Sequence, residues 1–370
     1  MAATDFSALS DAQVRVWSAE LWQHGREQSF WFANGLIGRS DNDMNAPVQR
    51  VTKLSETQRG FECVMQLVQD LQNDGTVADN KLEDNEEALE NDAQVIRIDQ
   101  LRHGVRSKGS MSEQKTVIRF RAVAKEKLAF WLGDKIDEML FLTASGRAFT
   151  VNLDGSTRST SQLPQLSFAN DVVATSANRL VWGGSASAEN NITATDKMTW
   201  NLIVKARAKH KRETMKPIRR GGKEYTVMVL SPEQERDLLT DPTYQTIVKD
   251  ASERGADNNP LFKNAIAVVQ GVVIYSHQKV YTTFGLASGK WGSGGTVDGA
   301  QALMLGAQSM GFAYVGNMQT RESDNTDYGN RPGLAVGRKL GMLKPQFKDP
   351  RNSNSREDFG ILSIKTAAAA

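Results

Sequence analysis

The sequence predicts an α+β fold. Three observations carry that expectation. Residues 110–146 repeat apolar side chains at helical spacing over an unusual length. Residues 61–71, 94–101 and 225–230 alternate or run apolar as strands do. Helical and strand-like segments are mixed without a regular strand–helix–strand rhythm, which points away from a parallel doubly wound sheet. The chain has 370 residues, enough for a sizeable core and, by length alone, two or three domains.

Residues 1–50 resemble an arm more than a domain. Trp17, Trp22 and Trp31 are three of the seven tryptophans, and Gly25, Gly35 and Gly38 interrupt any regular element. Such a segment must lie on another surface, either its own chain or a neighbour. Residues 61–71 and 94–101 form two strand-like segments joined by a long polar excursion. In the second, Val95 and Arg97 share one side, Ile96 and Ile98 the other. A projecting two-stranded loop fits, and an isolated hairpin needs a second surface for stability.

In 110–146, Ser110 and Glu113 have capping-box spacing. Val117, Phe120, Ala124, Leu128, Trp131, Leu132, Ile136, Met139 and Leu140 form the stripe, and Gly146 is the expected stop. About 30 helical residues here would span roughly 45 Å. Gly133 sits in mid-stripe, as a bend or a close packing contact. Residues 147–194 read as irregular structure with short strands. Residues 195–213 read as a helix with Met198, Leu202 and Ala206 on one face, and 225–230 as a buried strand. Ser231, Pro232 and Gln234 signal a helix start. Two short strands flank Gly271, residues 299–316 must be buried, and 358–364 is a further strand.

Net charge is +2, but its distribution is uneven. Residues 74–92 hold eight acids against one base, and 205–223 hold nine bases against Glu213. Such runs are solvated surfaces or, as an opposite pair on one chain, contacts between copies. One cysteine, Cys63, excludes an internal disulfide framework and fits a reducing compartment. No apolar run approaches the roughly 20 residues of a membrane span. The N-terminus has no signal-peptide pattern, so folding in a cytoplasm is expected.

The chemistry-bearing motifs fail one by one. Gly104 and Gly109 have phosphate-loop spacing, but Lys108 precedes the second glycine and Ser110–Met111 replace the required Lys-Ser/Thr pair. GLASGK at 285–290 is one residue short, and Trp291 stands where a hydroxyl is needed. Ser112 and Lys115 form S-x-x-K, and residues 323–325 read S-D-N, yet no K-T-G follows. GGSAS at 183–187 lacks the closing glycine of a nucleophile elbow. The four histidines have no second ligand at metal spacing. The basic run carries few aromatics for base stacking. No catalytic residue, cofactor site or metal site is assigned, and an assembly protein is the class left standing.

Several segments together resemble one family of tailed-bacteriophage major capsid proteins of podovirus type. GTVADNKLEDNEEALENDAQVIRIDQLRHGV at 75–105 looks like that family's extended loop, and RFRAVAKEKLAFWLGDKIDEMLFLTASG at 119–146 like its spine helix. SPEQERDLLTDPTY, GADNNPLFKNAIAVVQGVVIYSHQKV, ALMLGAQSMGFAYV and DFGILSIKTA follow in the same order. The resemblance covers about residues 30–367 and is weak over the first 30.

It implies the capsid fold shared by tailed phages and herpesviruses. Laid on this chain, the N-arm is 1–50, the extended loop (E-loop) 51–110, the P-domain 111–194 and 346–370, and the A-domain 195–345. It implies hexamers and pentamers closing an icosahedral shell around double-stranded DNA, touched through non-specific contacts. It also implies a portal, a separate scaffolding protein and a possible decoration protein as partners, and no membrane. The virion is the expected location, with assembly in the host bacterial cytoplasm. The expected inter-subunit residues are Trp17, Trp22, Trp31, Glu83, Glu86, Glu87, Arg97, Arg102, Arg106 and Lys108, with Gly133 as a hinge. In this frame 104–111 is the elbow where the loop returns to the spine helix. A portal- or scaffold-associated phage protein and a DNA-binding module using 205–223 are the alternatives.

Overall fold

The computed structural model describes residues 29–40, 43–51, 60–68, 74–86, 91–111, 120–213, 215–252, 265–323, 328–349, 352 and 355–369. The chain opens with a one-turn helix α1 (Phe30–Ala33), then β1 (Val48–Val51), β2 (Glu62–Val68), β3 (Asn91–Arg97) and β4 (Asp99–Arg106). The long helix α2 (Phe120–Ser145) follows, then β5 (Leu180–Trp182) and α3 (Trp200–Arg212). Next come β6 (Ile218–Arg220), β7 (Lys223–Leu230), α4 (Pro232–Thr240) and α5 (Pro242–Ser252). Strands β8 (Ala267–Val269), β9 (Val272–Ser276), β10 (Gly299–Leu305), β11 (Met310–Ser323) and β12 (Gly333–Leu343) continue the chain. A small ribbon of β13 (Gln346–Asp349) and β14 (Ser355–Asp358) leads to β15 (Ile361–Ala367).

Two larger sheets organise the molecule. One has the order β5-β15-β10-β7-β9-β8, with β6 paired to β7; the other has the order β1-β11-β12-β4. Strand alternation in the first sheet is carried through to both faces. Val227, Val229, Leu303 and Leu305 join the core beneath α2, whereas Met228, Leu230, Ala302 and Met304 face the core of α3 and α4. Helix α2 also packs on β12 and β4, so it lies across both sheets.

The stripe read from the sequence is the buried face of α2. Ala124, Leu128, Leu132, Ile136, Met139 and Leu140 are buried, and Trp131 is half-buried. Its 26 residues span about 39 Å. The helix runs without interruption through the buried Gly133. It stops at Gly146, which has φ +64°, and a Cβ there would come within 2.6 Å of the Val173 carbonyl oxygen. Glu113 and Val117 lie outside the described residues. Ser110 donates from its amide and its hydroxyl to Asn330 Oδ1, at 3.1 and 2.8 Å.

The other local expectations fare as follows. Ser231 and Gln234 make the reciprocal capping box at the start of α4. Helix α3 begins at Trp200, five residues later than 195, because Thr199 caps it by accepting from Leu202 N. Residues 299–316 are buried for the most part as two strands, β10 and the first half of β11. Gly104 is not part of an elbow. It sits within β4, paired with Ala335 of β12, and the turn falls at 107–109.

Candidate assembly surfaces

The arm is fastened by a buried carboxylate. Asp137 of α2 accepts hydrogen bonds from Ser29 Oγ at 2.5 Å and from Phe30 N at 2.7 Å. Burial pushes its pKa up to about 6, against those hydrogen bonds and the pull of Lys279. Trp31 is fully buried, 4.9 Å from the Phe141 ring and edge-on to Phe30. Strand β1 then pairs in parallel with β11. The described part of the arm therefore packs on its own chain. The expectation that Trp31 reaches a neighbour is corrected, since nothing of its ring is left to offer. Trp17 and Trp22 lie outside the described residues.

The β2–β3 hairpin has two unlike faces. Cys63, Met65 and Ile96 face inward with Ala313 and Leu343. Close approach is possible because the sheet presents glycine: a Cβ on Gly341 would collide with Arg97 O, and one on Gly311 would meet Ile96 Cδ1 at 2.8 Å. Phe61, Val64 and Val95 point outward, 70%, 41% and 42% exposed. Between the strands, residues 74–86 are almost entirely exposed, including Val77, Leu82, Glu83 and Glu86. Glu83 pairs with the equally exposed Lys81, at 2.8 Å. Glu87 lies outside the described residues.

The basic residues near the hairpin divide into two groups. Arg97 bonds Asp171 at 3.0 Å and approaches Glu62 at 4.0 Å within its own chain, and its side chain stays half exposed. Arg102 and Arg106 on β4, and Lys108 just beyond it, are exposed, and none has an ion-pair partner among the described residues.

A second set of charges is enclosed. Lys344 and Asp358 are both fully buried and bond at 3.0 Å, with Gln346 donating to the other Asp358 oxygen at 3.0 Å. Burial pulls the Lys344 pKa down, opposed by Asp358. Nearby, the fully buried Arg179 lies 3.6 Å from both Glu213 and Asp349. This network ties β5, α3 and the β13–β14 ribbon together. Sequence reading missed it because its members come from four separated stretches.

The basic run at 205–223 lies along α3 and the β6–β7 hairpin, around a cleft lined by Arg207, His210, Lys211 and Lys216. Among the described residues, no group of three or more His, Cys, Asp or Glu is placed to hold a metal ion, and no helix is long and apolar enough to cross a membrane.

Known proteins share this architecture. A family model described as phage capsid protein matches residues 5–370. The major capsid protein of Pseudomonas phage KPP25 is 37% identical over 374 residues, covering 99% of this chain and 98% of that protein. The capsid of Ralstonia phage GP4 superposes with a TM-score of 0.78 at 27% identity, covering 100% of this chain and 96% of the other. The capsid of cyanophage Pam1 shares the fold at 19% identity, with a TM-score of 0.70 and full coverage of both chains. The expected tailed-phage capsid fold is the observed one, and the protein is a structural subunit of a virion shell. By the family match and by its identity to a relative along the full length of both, the chain belongs to the phage capsid protein family.

Proposed function

We propose that copies of this chain gather as hexamers and pentamers in an icosahedral shell around double-stranded DNA, and that the β2–β3 hairpin is the extended loop lying over the neighbouring subunit. One observation carries the reading. The hairpin exposes Phe61 just before β2 and the cross-strand pair Val64 and Val95 on its outer face, next to the paired Glu62 and Arg97 and beside a long acidic excursion. Exposed apolar side chains rimmed by charge in this way suit a partner surface. Each contact can be modest, because a closed lattice repeats it on every copy.

In this reading the arm is 1–50, the E-loop 51–110, the P-domain 111–194 with 346–370, and the A-domain 195–345. β4 forms the base of the loop, and α2 is the spine helix. Trp17, Trp22, Glu83, Glu86, Glu87 and Arg97 are candidate seam contacts, with Arg102, Arg106 and Lys108 facing acids on the next copy. Gly133 is the candidate flex point of the spine during maturation. A scaffolding protein, a portal and a decoration protein are the proposed partners besides the chain itself and DNA.

Electron microscopy of the expressed protein, alone and with its genomic neighbours, tests the assembly. Shells or partial shells are expected; only small rings or monomers would overturn it. Reversal of Arg102, Arg106 and Lys108 to Glu tests the seam. Normal shells of unchanged thermal stability would remove these three residues from it.

A further inference from the structure

Two adjoining cavities open beside α3. The larger, about 270 Å³, lies between the C-terminal half of α3, residues 215–217 and β7. The smaller, about 190 Å³, shares Arg207 and Lys211 with it and is otherwise mostly apolar, with Trp200 and Ile203 in its wall. Three cations line the larger cavity: Arg207, Lys211 and Lys216. The carboxylate there, Glu224, is engaged by Arg219 at 3.3 Å.

Two of these cations have packing partners. The guanidinium of Arg207 rests against Gly271, where a Cβ would come within 2.9 Å of Nη2. The Lys216 ammonium stands 5.6 Å from the Phe359 ring centroid, at the rim. His210 also lines the cavity, is 1% exposed, and its Nε2 has no hydrogen-bond partner among the described residues. Burial, reinforced by Arg179, Arg207 and Lys211, pushes its pKa down to about 4, so the ring is neutral at pH 7.

The positive charge does not end at the cavity. Lys205 on α3 and Lys223 on the β6–β7 hairpin are exposed, as are Arg212 and Arg219, which pair with Glu213 and Glu224. A small free anion needs only the cavity; further exposed cations on the same two elements suit an extended polyanion. Planar Arg with Lys beside it is a common arrangement for phosphate oxygens.

We propose that this cavity holds one phosphate of a nucleic-acid backbone, gripped by Arg207 and Lys211 with Lys216 at the rim, and that the flanking cations follow the strand. The assignment rests on the reading of a shell that encloses DNA. Its test uses the full-length protein whether or not shells form, so the two readings fail separately.

Binding of a short random-sequence DNA duplex is followed by fluorescence anisotropy across a salt series. The pair Arg207→Gln and Lys211→Gln is expected to weaken binding about tenfold or more, and to flatten the salt slope by about 0.9 for each phosphate no longer neutralised. The pair Lys205→Gln and Lys223→Gln removes the same charge and should stay within about threefold of wild type, as flanking cations do. Equal losses from the two pairs would overturn the cavity as the seat of binding. Arg207 also packs on a turn, so a second measurement uses the unaltered protein. Pyrophosphate, too small to span the patch, should shield Lys211 and Lys216 from amine acetylation while Lys205 and Lys223 react as before. Uniform shielding, or none, counts against the proposal. Tighter binding of polyglutamate than of the duplex would replace nucleic acid with an acidic protein partner.

Discussion

The charges of the β13–β14 region and those of β4 follow opposite rules. Around β13–β14, Lys344, Asp358 and Arg179 are out of water, and each has an opposite charge within 4 Å. Along β4, Arg102 and Arg106 stand in solvent, with no such partner among the described residues. A buried ion without a partner costs several kcal/mol, so a fold must complete its interior pairs by itself. An exposed ion costs almost nothing to leave unmatched. Exposed cations near the exposed side chains of the hairpin are therefore where a second copy can add attraction without the first copy having depended on it.

The contrast can be broken at its buried end first. Asp358→Ala leaves Lys344 enclosed without its carboxylate and should cost about 3–5 kcal/mol in denaturant unfolding. Trp31→Ala, which empties the site of a fully buried ring, belongs in the same range of about 3–5 kcal/mol. A loss under about 1 kcal/mol in either case would mean that the region relaxes or is wet.

Asp137 comes next and carries a pH signature. Its folded pKa, about 6, stands above its unfolded value, 3.8. The folded state therefore binds the proton more tightly, and the contribution is fully present below pH 3.8 and lost as pH rises through 6. A shift of this size corresponds to about 3 kcal/mol. Relative to Asp137→Asn, the wild type should gain thermal stability as pH falls from about 6 to about 4. A pH-independent difference would show that the carboxylate is solvated. Ser231→Ala removes one side of the α4 capping box and should cost about 1 kcal/mol by the same measurement.

The smallest effect on the subunit is expected at the hairpin, where it matters most for assembly. Phe61→Ser should leave subunit stability within about 0.5 kcal/mol of wild type. It should nevertheless lower the yield of shells seen by electron microscopy and raise the protein concentration at which they form. Unchanged assembly would move the partner surface elsewhere.

What the sequence made legible was local. The stripe of α2, the alternation of β2 and β3, the cap at Ser231 and the turn at Gly271 each depend on neighbours a few residues away. What it hid depends on distant pairing. Gly104 has the signal of a turn, yet β12 recruits it into a ladder more than two hundred residues away in the chain. Arg97 looks free until Asp171 is brought to it. Aromatic density placed Trp31 on some surface, and only folding decided that the surface belongs to its own chain. The basic cleft lies in the same class, since α3, residues 215–217 and the β8–β9 turn converge there from separate stretches.

Strand β15 follows every other described element in chain order, yet it lies inside its sheet, between β5 and β10. The sheet cannot close while the ribosome is still short of Ile361. Until then β10 presents a bare apolar edge, and its other neighbour, β7, cannot fill that position. A polypeptide released early lacks the strand that joins β5 to the rest, and such fragments should be left to proteases, not built into a lattice where one faulty copy would disturb its neighbours.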